Sequence, residues 1–376
     1  MKRNCSGCQK SRVQWLKEGD KNTHFFHSSV KGRRQRNKIQ RLQREDTTWT
    51  NSEEEIGEEV VNHFKELFRS KGMTQTDMTL KGISQTISDH MNSELTQPVK
   101  DKEIKDALFP MNPTRAPGPD GMTPLFFQTF WHIVKKDIIK ATKSFFHSSH
   151  MLKAMNHTNI SLIPKGEHPT EVKQFRPISL CNVLYKIISK ILANRLKIFL
   201  GKCISTNQAA FVLGRQILDN VIISHEYMHY LKNKREGSHG FMALKLDMSK
   251  TYDRVEWEYL KAIMVKMDFC GTWITWIMEC ISTASFSFNI NGEPTGYVIP
   301  SRGIRQGDPL SPYLFLLVSQ GFSHLLDQAQ RSKRLTGMRI SRSGPSITHL
   351  FFADDWLIFC KADKRQVEEV SRILKI

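Results

Sequence analysis

Three aspartates lie at the ends of apolar segments and could bind divalent cations. Asp354 and Asp355 are adjacent, and they lie between two apolar runs typical of β-strands, where a hairpin would turn. Asp247 ends a further apolar run, residues 241–247. Three carboxylates brought together in one sheet could hold two Mg²⁺ ions about 4 Å apart, an arrangement that catalyses phosphoryl transfer. Taken alone, the Asp pair is equally consistent with an ordinary surface turn.

Two basic residues could bind a triphosphate. Lys165 ends the apolar run 159–165, and Arg176 opens the next one, residues 176–180. A strand–loop–strand would bring them together, with lysine as a point charge and arginine as a bidentate donor to phosphate. Spacing alone favours the simpler interpretation, two exposed basic residues in a basic protein.

The chain as a whole is strongly basic. Its 376 residues include 55 Lys and Arg against 37 Asp and Glu, which gives a formal net charge of +18. Such a balance favours a polyanionic partner, most simply nucleic acid. Residues 1–44 are the most basic part, and Arg33, Arg34 and Arg36 are predicted to contact phosphates there, with a solvated charged helix as the alternative.

Hydrophobic periodicity predicts the helices around these residues. Ser52 and Glu55 form a capping-box pattern before a predicted helix that runs to Leu67. Residues 70–95 are polar and predict a linker or an irregular connection. An apolar stripe over 180–196 predicts a long core helix.

Turn residues mark three connections. The Pro- and Gly-rich segment 116–121 predicts a rigid turn before an apolar helix. Asn291-Gly292 between alternating apolar residues predicts a β-hairpin. In the loop 301–312, Ser311 is predicted to cap a helix with Pro312 in its first position.

The ordered motifs together resemble the reverse transcriptase of a LINE-type (non-LTR) retrotransposon, of the kind abundant in plants. The resemblance covers nearly the whole chain. It is carried by Arg12-Val-Gln-Trp-Leu-Lys-Glu-Gly-Asp-Lys-Asn-Thr23, Phe25-Phe-His27, Ala116-Pro-Gly-Pro-Asp-Gly121, Ile163-Pro-Lys165, Phe175-Arg-Pro-Ile-Ser-Leu180, Lys245-Leu-Asp-Met-Ser-Lys250, Tyr252-Asp-Arg-Val-Glu-Trp257, Gly303-Ile-Arg-Gln-Gly-Asp-Pro-Leu-Ser-Pro312 and Phe352-Ala-Asp-Asp355.

The resemblance implies an α+β fold, the fingers and palm of a right-hand polymerase, with an antiparallel palm sheet packed on helices. It implies an RNA-directed DNA polymerase that adds dNTPs to a DNA primer on an RNA template. The implied division is a basic, mostly helical N-terminal extension or linker over 1–95, fingers over 96–236 and an incomplete palm over 237–376. The reverse transcriptase domain as a whole would cover about 145–376.

The same resemblance assigns roles to single residues. Asp247, Asp354 and Asp355 resemble the catalytic, metal-binding acids, and the carbonyl of Met248 would be a further ligand. The implied cofactor is a pair of Mg²⁺ ions, for which Mn²⁺ can substitute.

The nucleotide-binding residues follow in the same way. Lys165 and Arg176 resemble residues that grip the triphosphate, and Gln306 and Gly307 resemble a loop beside the incoming nucleotide. Tyr252 stands where the family has an aromatic residue under the sugar, which would exclude a 2′-hydroxyl; a plain core aromatic is the alternative.

Three residues near these motifs carry further expectations. Arg305 is expected to contact backbone phosphate. Thr251 stands where relatives usually have alanine, and Trp356 follows the Asp pair, where it would either crowd the hairpin or pack beneath it. Because the chain ends at Ile376 without a thumb or an endonuclease, we expect weak or absent processive synthesis.

Two other functions remain open at this stage. One is a non-catalytic nucleic-acid-binding remnant of the same element, and the other is a Mg²⁺-dependent nuclease, against which the predicted triphosphate grip and sugar contact argue. No signal peptide or membrane span is evident, and seven scattered cysteines give no even disulfide framework. An intracellular location is therefore expected, and the resemblance implies the nucleus. The oligomeric state is not predicted.

Overall fold

The computed structural model describes residues 28, 31–32, 35–72, 76–234, 240–248, 250–341 and 343–375. The helices in that part of the chain are α1 (Glu53–Leu67), α2 (Thr76–Leu80), α3 (Asp89–Thr96), α4 (Asp101–Leu108), α5 (Pro124–Thr129), α6 (Trp131–Ser148), α7 (Lys153–Asn156), α8 (Val183–Cys203), α9 (Ile217–Asn233), α10 (Trp257–Lys266), α11 (Gly271–Ser282), α12 (Ser311–Arg331) and α13 (Lys364–Leu374). The strands are β1 (His157–Pro164), β2 (Phe175–Cys181), β3 (Phe241–Asp247), β4 (Ser285–Ile290), β5 (Glu293–Val298), β6 (His349–Phe352) and β7 (Asp355–Lys361).

A four-stranded sheet has the strand order β2-β1-β4-β5. The pairs β1–β2 and β4–β5 are antiparallel, whereas β1 and β4 run parallel. The predicted hairpin at Asn291-Gly292 is confirmed: the two residues have φ of 53° and 110°, as the tight turn between β4 and β5 requires.

Helix α1 covers this sheet. Ser52 caps the helix by accepting a hydrogen bond from the backbone N–H of Glu55, so the predicted helix start is confirmed. The Phe64 ring stacks on Phe288 of β4, with centroids 4.7 Å apart, and Ile56 and Val60 are buried in the same apolar cluster. Helix α1, which precedes position 96, therefore belongs to the packed body of the protein.

A three-stranded antiparallel sheet has the order β3-β7-β6. One face packs on the large apolar core through Trp356 and Ile358, and the other packs on α9 through Leu350 and Phe359, which contact Tyr227. Strand alternation produces these two faces. The predicted α+β class, with an antiparallel sheet packed on helices, is confirmed.

The large core surrounds α8, most of which is buried. The prediction of a linker or an irregular connection over 70–95 is wrong for residues 76–80 and 89–95, which form α2 and α3. Leu80, Ile87 and Leu95 are buried in the large core. The local sequence did not predict this, because their burial depends on helices distant in sequence. The prediction that Ser311 caps the helix is also wrong, because Ser311 is the first helical residue.

The domain boundaries at 95/96 and 236/237 stay predictions, although packing crosses both. Strand β4, from the predicted palm, pairs with β1 from the predicted fingers. No helix in the described part of the chain is long and apolar enough to cross a bilayer.

Candidate active site

The two aspartate segments meet in the three-stranded sheet. Asp247, the last residue of β3, lies directly opposite Asp355, the first residue of β7. Directly opposed antiparallel residues point to the same face. Asp354 occupies the two-residue turn between β6 and β7 with Ala353, whose φ is 59°. The turn and the strand register therefore bring Asp247 to the same end of the sheet as Asp354 and Asp355, which follow it by more than 100 residues in sequence.

Gln208 holds the turn in its left-handed conformation. Its Oε1 accepts hydrogen bonds from the backbone N–H groups of Ala353 at 3.1 Å and Ala210 at 3.0 Å. Nearby, the Asn220 amide donates to the carbonyl of Phe351 at 3.1 Å. Both side chains are buried. Sequence reasoning assigned no role to either, and two amides near a predominantly apolar segment were the available signal.

Trp356 packs beneath the turn. Its ring stacks between Phe322 and Phe351, with centroid distances of 4.6 Å and 4.7 Å, and its Nε1 donates to the carbonyl of Ala353 at 2.9 Å. Of the two expectations for this residue, packing beneath the hairpin is the one observed.

A cavity of about 920 Å³ opens beside the aspartates. It is lined by eight residues to which the sequence analysis gave metal- or nucleotide-binding roles: Asp247, Met248, Asp354, Lys165, Arg176, Tyr252, Gln306 and Gly307. Asp355 is not among the lining residues; its carboxylate lies 3.3 Å from the ammonium of Lys245. Acidic and basic side chains thus face one space.

The hairpin β1–β2 carries the two predicted triphosphate ligands. Ile163 pairs with Arg176, and the backbone N–H of Lys165 donates to the carbonyl of Gln174 at 2.9 Å. The strand–loop–strand predicted for this segment is therefore present. Both side chains are exposed, and Lys165 Nζ donates to the carbonyl of Lys173 at 3.1 Å.

Tyr252 lies between the cavity and the core. It lines the cavity and also stacks on Phe315 of α12, with ring centroids 5.2 Å apart. Burial, followed by the Asp354 carboxylate, raises the pKa of Tyr252 to about 12. The phenol therefore stays neutral near pH 7. Both interpretations of Tyr252, an aromatic residue beside a nucleotide sugar and a plain core aromatic, are compatible with this geometry.

The loop 301–307 is fixed against the segment that contains Tyr252. The backbone N–H of Ile304 donates to the Tyr252 carbonyl at 2.8 Å. Gly303 has φ of 96° and lies close to Asp253, the residue after Tyr252. A Cβ added to Gly303 would lie 2.8 Å from the carbonyl oxygen of Asp253. Glycine is required here by both conformation and space. The loop consequently presents Gln306 and Gly307 to the cavity.

Arg305 corrects the sequence analysis, because it lies in the interior and has no access to a phosphate backbone. It is 5% exposed. Its guanidinium donates to the Asn156 side chain at 2.6 Å and to the Cys280 carbonyl at 2.9 Å, lies 3.8 Å over the Tyr185 ring, and pairs with Asp308 at 3.6 Å. A residue of a polar loop became a core residue because three of its partners, Asn156, Tyr185 and Cys280, come from distant segments.

A second set of charged groups lines or borders the cavity. Burial raises the pKa of Asp253 to about 6, although Lys250, Lys165 and Arg254 oppose the shift. Burial also lowers the pKa of Lys250 to about 8, and its Nζ lies 2.6 Å from His63 Nε2 of α1. Lys250 and Asp253 belong to motifs that carry the family resemblance, but residue type alone assigned them no function.

The donor set suits a hard divalent cation only in part. Among the described residues no group of three or more His, Cys, Asp or Glu side chains is arranged to hold a metal ion. Asp247 and Asp354 both face the cavity, however, and Mg²⁺ is commonly bound by one or two carboxylates together with substrate phosphates. The carbonyl of Met248 accepts a hydrogen bond from Thr251 Oγ1 at 2.5 Å and keeps a second lone pair.

The predicted nucleic-acid-binding arginines of the N-terminal segment are only partly described. Arg33 and Arg34 lie outside the described residues. Arg36 is exposed, and its Nε donates to the carbonyl of Gly32 at 3.3 Å. Its phosphate-binding role stays a prediction.

Comparison with known proteins agrees with the family resemblance carried by the sequence motifs. A family model for reverse transcriptase (RNA-dependent DNA polymerase) matches residues 163–376, more than half of the chain. The chain is 28% identical over 368 residues, 97% of its length, to the Xenopus laevis protein named transposon TX1 uncharacterized 149 kDa protein, of which it covers 27%.

Two further relatives extend the comparison. The chain is 26% identical over 287 residues, 74% of its length, to the Nasonia vitripennis retrovirus-related Pol polyprotein from type-1 retrotransposable element R2, covering 25% of that protein. It is 59% identical over 68 residues, 18% of its length, to the uncharacterized mitochondrial protein AtMg01250 of Arabidopsis thaliana, covering 56% of that protein. The chain thus spans about a quarter of the length of the long retrotransposon relatives. The predicted resemblance to non-LTR retrotransposon proteins is confirmed. The chain belongs to the reverse transcriptase (RNA-dependent DNA polymerase) family.

Proposed function

We propose that the cavity beside Asp247 and Asp354 is a polymerase active site that transfers deoxynucleotides to a primer 3′-hydroxyl on an RNA template. The observation that carries the proposal is the convergence of two carboxylates with Lys165 and Arg176 on one cavity of about 920 Å³. Anionic and cationic groups facing one space are what a triphosphate and its divalent counterions require.

Asp247 and Asp354 would hold the divalent cations, Mg²⁺ or Mn²⁺, with the free lone pair of the Met248 carbonyl as a further donor. Bound there, the metal ions would supply an activated 3′-hydroxyl and would neutralise the charge that develops on the phosphoryl group. Asp355 lies on the same face as Asp247, but its carboxylate pairs with Lys245 and does not line the cavity.

Lys165 and Arg176 would bind the triphosphate from the β1–β2 hairpin. Arginine offers a planar fork to the phosphate oxygens, and lysine offers a point charge. Tyr252 would lie under the sugar, and its bulk, fixed by the stack on Phe315, would leave no room for a 2′-hydroxyl. Gln306 and Gly307 would contact the incoming nucleotide.

The test is primer extension on an RNA template with Mg²⁺ and dNTPs. We expect wild-type extension that Asp354→Asn and Asp247→Asn abolish, while Asp137→Asn, an exposed position on α6, leaves it unchanged. Tyr252→Val is expected to admit ribonucleotides, and Tyr252→Phe is expected to keep the selection. Equal extension by the wild type and both cavity variants would refute the assignment.

A second candidate is the non-catalytic nucleic-acid-binding remnant. It is favoured by two contacts that occupy predicted metal ligands: Lys245 with Asp355, and Thr251 with the Met248 carbonyl. This candidate predicts salt-sensitive binding of an RNA–DNA hybrid that Asp354→Asn does not change, with no extension by either protein. The nuclear location implied by the family resemblance stays a prediction.

A further inference from the structure

Helix α1 contacts the wall of the active-site cavity through His63. His63 is not one of the described residues that line the cavity, but its Nε2 lies 2.6 Å from the Nζ of Lys250, which does line it. The Lys250 ammonium also lies 5.5 Å from the centre of the Phe64 ring, the next residue of α1. Two adjacent side chains of α1 therefore hold one cation of the cavity wall, through a hydrogen bond and a cation–π contact.

The hydrogen bond between His63 and Lys250 has a defined direction. An ammonium group can only donate, so His63 Nε2 is the acceptor and the imidazole is neutral. Burial, followed by the charges of Lys250 and Lys173, lowers the pKa of His63 to about 4. The ring is therefore neutral at pH 7, and its proton is on Nδ1.

A buried carboxylate competes for the same ammonium group. Asp253 is 3% exposed and lines the cavity, and its Oδ2 has no hydrogen-bond partner in the described part of the chain. Burial raises the pKa of Asp253, and the charge of Lys250 is the largest effect that opposes this shift, so the two groups lie near each other. A lysine on its flexible stem would turn towards such a carboxylate unless another group held it. In this structure His63 holds it.

The backbone of Lys250 is also held in an uncommon conformation. Its φ is 55°, in the left-handed region that residues with a side chain rarely adopt and that is concentrated at functional sites. The N–H of Asp253 donates to the Lys250 carbonyl at 3.1 Å and closes this turn. Lys250 is close enough to Lys165 for the two charges to repel each other. An anion bound beside both lysines would relieve that repulsion.

We propose that His63 is a positioning residue, which holds the Lys250 ammonium at the cavity wall so that it binds the phosphates of the incoming nucleotide together with Lys165. Lys250 would act there as a point charge. Helix α1 would thus affect nucleotide binding without touching the nucleotide. The inference rests on the proposed polymerase function, because that function supplies a nucleoside triphosphate at this cavity.

The test is a double-mutant cycle on nucleotide binding. Isothermal titration calorimetry measures the binding of dTTP, with Mg²⁺ and without primer or template, to the wild type, His63→Leu, Lys250→Met and the double variant. His63→Gln keeps an acceptor oxygen on the same helix position. Val61→Ala is the matched control, since Val61 packs α1 on the apolar cluster of the four-stranded sheet and does not line the cavity. Thermal unfolding by circular dichroism verifies that each variant is folded.

His63→Leu and Lys250→Met are each expected to weaken dTTP binding by about tenfold, the low end for a hydrogen bond to a charged group. The double variant should bind no more weakly than Lys250→Met, because without the ammonium the imidazole has nothing to hold. His63→Gln should bind nearly as tightly as the wild type, and Val61→Ala should match the wild type in affinity while losing stability.

Four outcomes overturn the inference: no binding of dTTP by the wild type, wild-type affinity in folded His63→Leu, an equal effect of His63→Leu with and without Lys250, or a loss in His63→Gln as large as in His63→Leu. The last two would assign the effect of His63 to packing. Because binding is measured without chemistry, this failure is distinguishable from that of the polymerase proposal. Primer extension by the wild type without the binding pattern removes this inference alone, whereas the full pattern without extension supports it and removes the polymerase proposal.

Discussion

At the scale of single residues, the candidate site contains side chains that are not acids and that contact the proposed metal ligands. Thr251 hydrogen-bonds the Met248 carbonyl, and Lys245 pairs with Asp355. Each contact competes with a divalent cation for an oxygen atom. In the proposed metal site, Thr251 and Lys245 would therefore weaken the binding of a divalent cation.

Thr251→Ala tests this competition. Removing the hydroxyl frees the Met248 carbonyl, and a hydrogen bond worth about 0.5–1.5 kcal/mol corresponds to about two- to tenfold tighter cation binding. Mn²⁺ titration followed by electron paramagnetic resonance measures the affinity directly. Thr251→Ser keeps a hydroxyl and should match the wild type. Weaker Mn²⁺ binding by the alanine variant would contradict the expectation.

His349 predicts a pH dependence of stability. It is fully buried, its Nε2 lies 2.8 Å from Ser323 Oγ, and burial lowers its pKa from 6.5 to about 3. The unfolded chain takes up a proton below about pH 6.5, whereas the folded chain does so only near pH 3. The unfolded state thus binds more protons in this window, and stability falls as the pH drops from about 6.5 towards 3.

Urea unfolding at pH 7 and pH 5 measures the effect. His349 should account for about 2 kcal/mol of lost unfolding free energy between these values, from about 1.4 kcal/mol per pH unit below 6.5. His349→Gln should remove that part of the pH dependence. His132→Gln, an exposed position on α6, should keep it. The same pH dependence in the wild type and His349→Gln would refute the assignment.

At the scale of elements, the turn between β6 and β7 is positioned by a segment distant in sequence. The N–H of Phe351 donates to the Asn207 carbonyl, and Gln208 accepts from Ala353 and Ala210. The aspartate turn is therefore held from the side by residues 207–210 as well as by its own hairpin.

Gln208→Ala tests this support. It leaves two backbone N–H groups without their acceptor, which costs about 1–3 kcal/mol for each buried group. We expect kcat for primer extension to fall while KM for dNTP changes little, because Lys165 and Arg176 are on another hairpin. Gln366 makes the matched control: its Oε1 also accepts from two backbone N–H groups, those of Thr336 and Lys361.

Gln366→Ala should lose comparable stability without lowering kcat, because its bonds are at the opposite end of β7. Unfolding free energy and steady-state kinetics are measured for both variants. Equal losses of kcat would show that Gln208 acts only through general stability.

The loop 116–121 is docked by a close backbone approach. A Cβ added to Gly118 would lie 2.5 Å from the backbone N of Asn182 and 2.7 Å from the carbonyl carbon of Cys181, at the start of α8. Gly118→Ala should therefore destabilise the protein by about 1–3 kcal/mol, as overpacking does. Gly166, with nothing within 4 Å of an added Cβ, is the control for chemical denaturation. Similar unfolding midpoints for both variants would contradict the docking.

At the scale of the whole molecule, the described residues from Ile39 to Val99 contribute to the two apolar cores. Helix α1 covers the four-stranded sheet through Phe64, and His63 on the same helix reaches Lys250 beside the active-site cavity. Residues 80–95 enter the large core. The basic segment predicted as an extension is thus structurally continuous with the sheet from residue 39 onwards.

Truncation tests this continuity. A chain that begins at residue 35 keeps α1 and should unfold cooperatively, like the full chain. A chain that begins at residue 96 loses α1 and exposes Phe286 and Phe288, so we expect aggregation or the absence of a cooperative transition. Phe64→Ala, the milder variant, should cost about 3–5 kcal/mol. Cooperative calorimetric unfolding of the 96–376 chain would support the predicted boundary instead.

The sequence by itself determined the local structure and the family. The hairpin at Asn291-Gly292 and the Ser52 cap depend only on neighbouring residues. The family follows from the order of the motifs along the chain. The same local information brought Lys165 and Arg176 together, because one hairpin connects them.

Only the tertiary structure decided which polar residues are buried and which face the cavity. Arg305 became a core residue, Trp356 packed beneath the turn, and Gln208 became the acceptor for that turn. The physical reason is that the burial and the partners of these residues depend on other segments: Asn156 for Arg305, Phe322 for Trp356 and Ala353 for Gln208. Residue type within one loop carries no information about them.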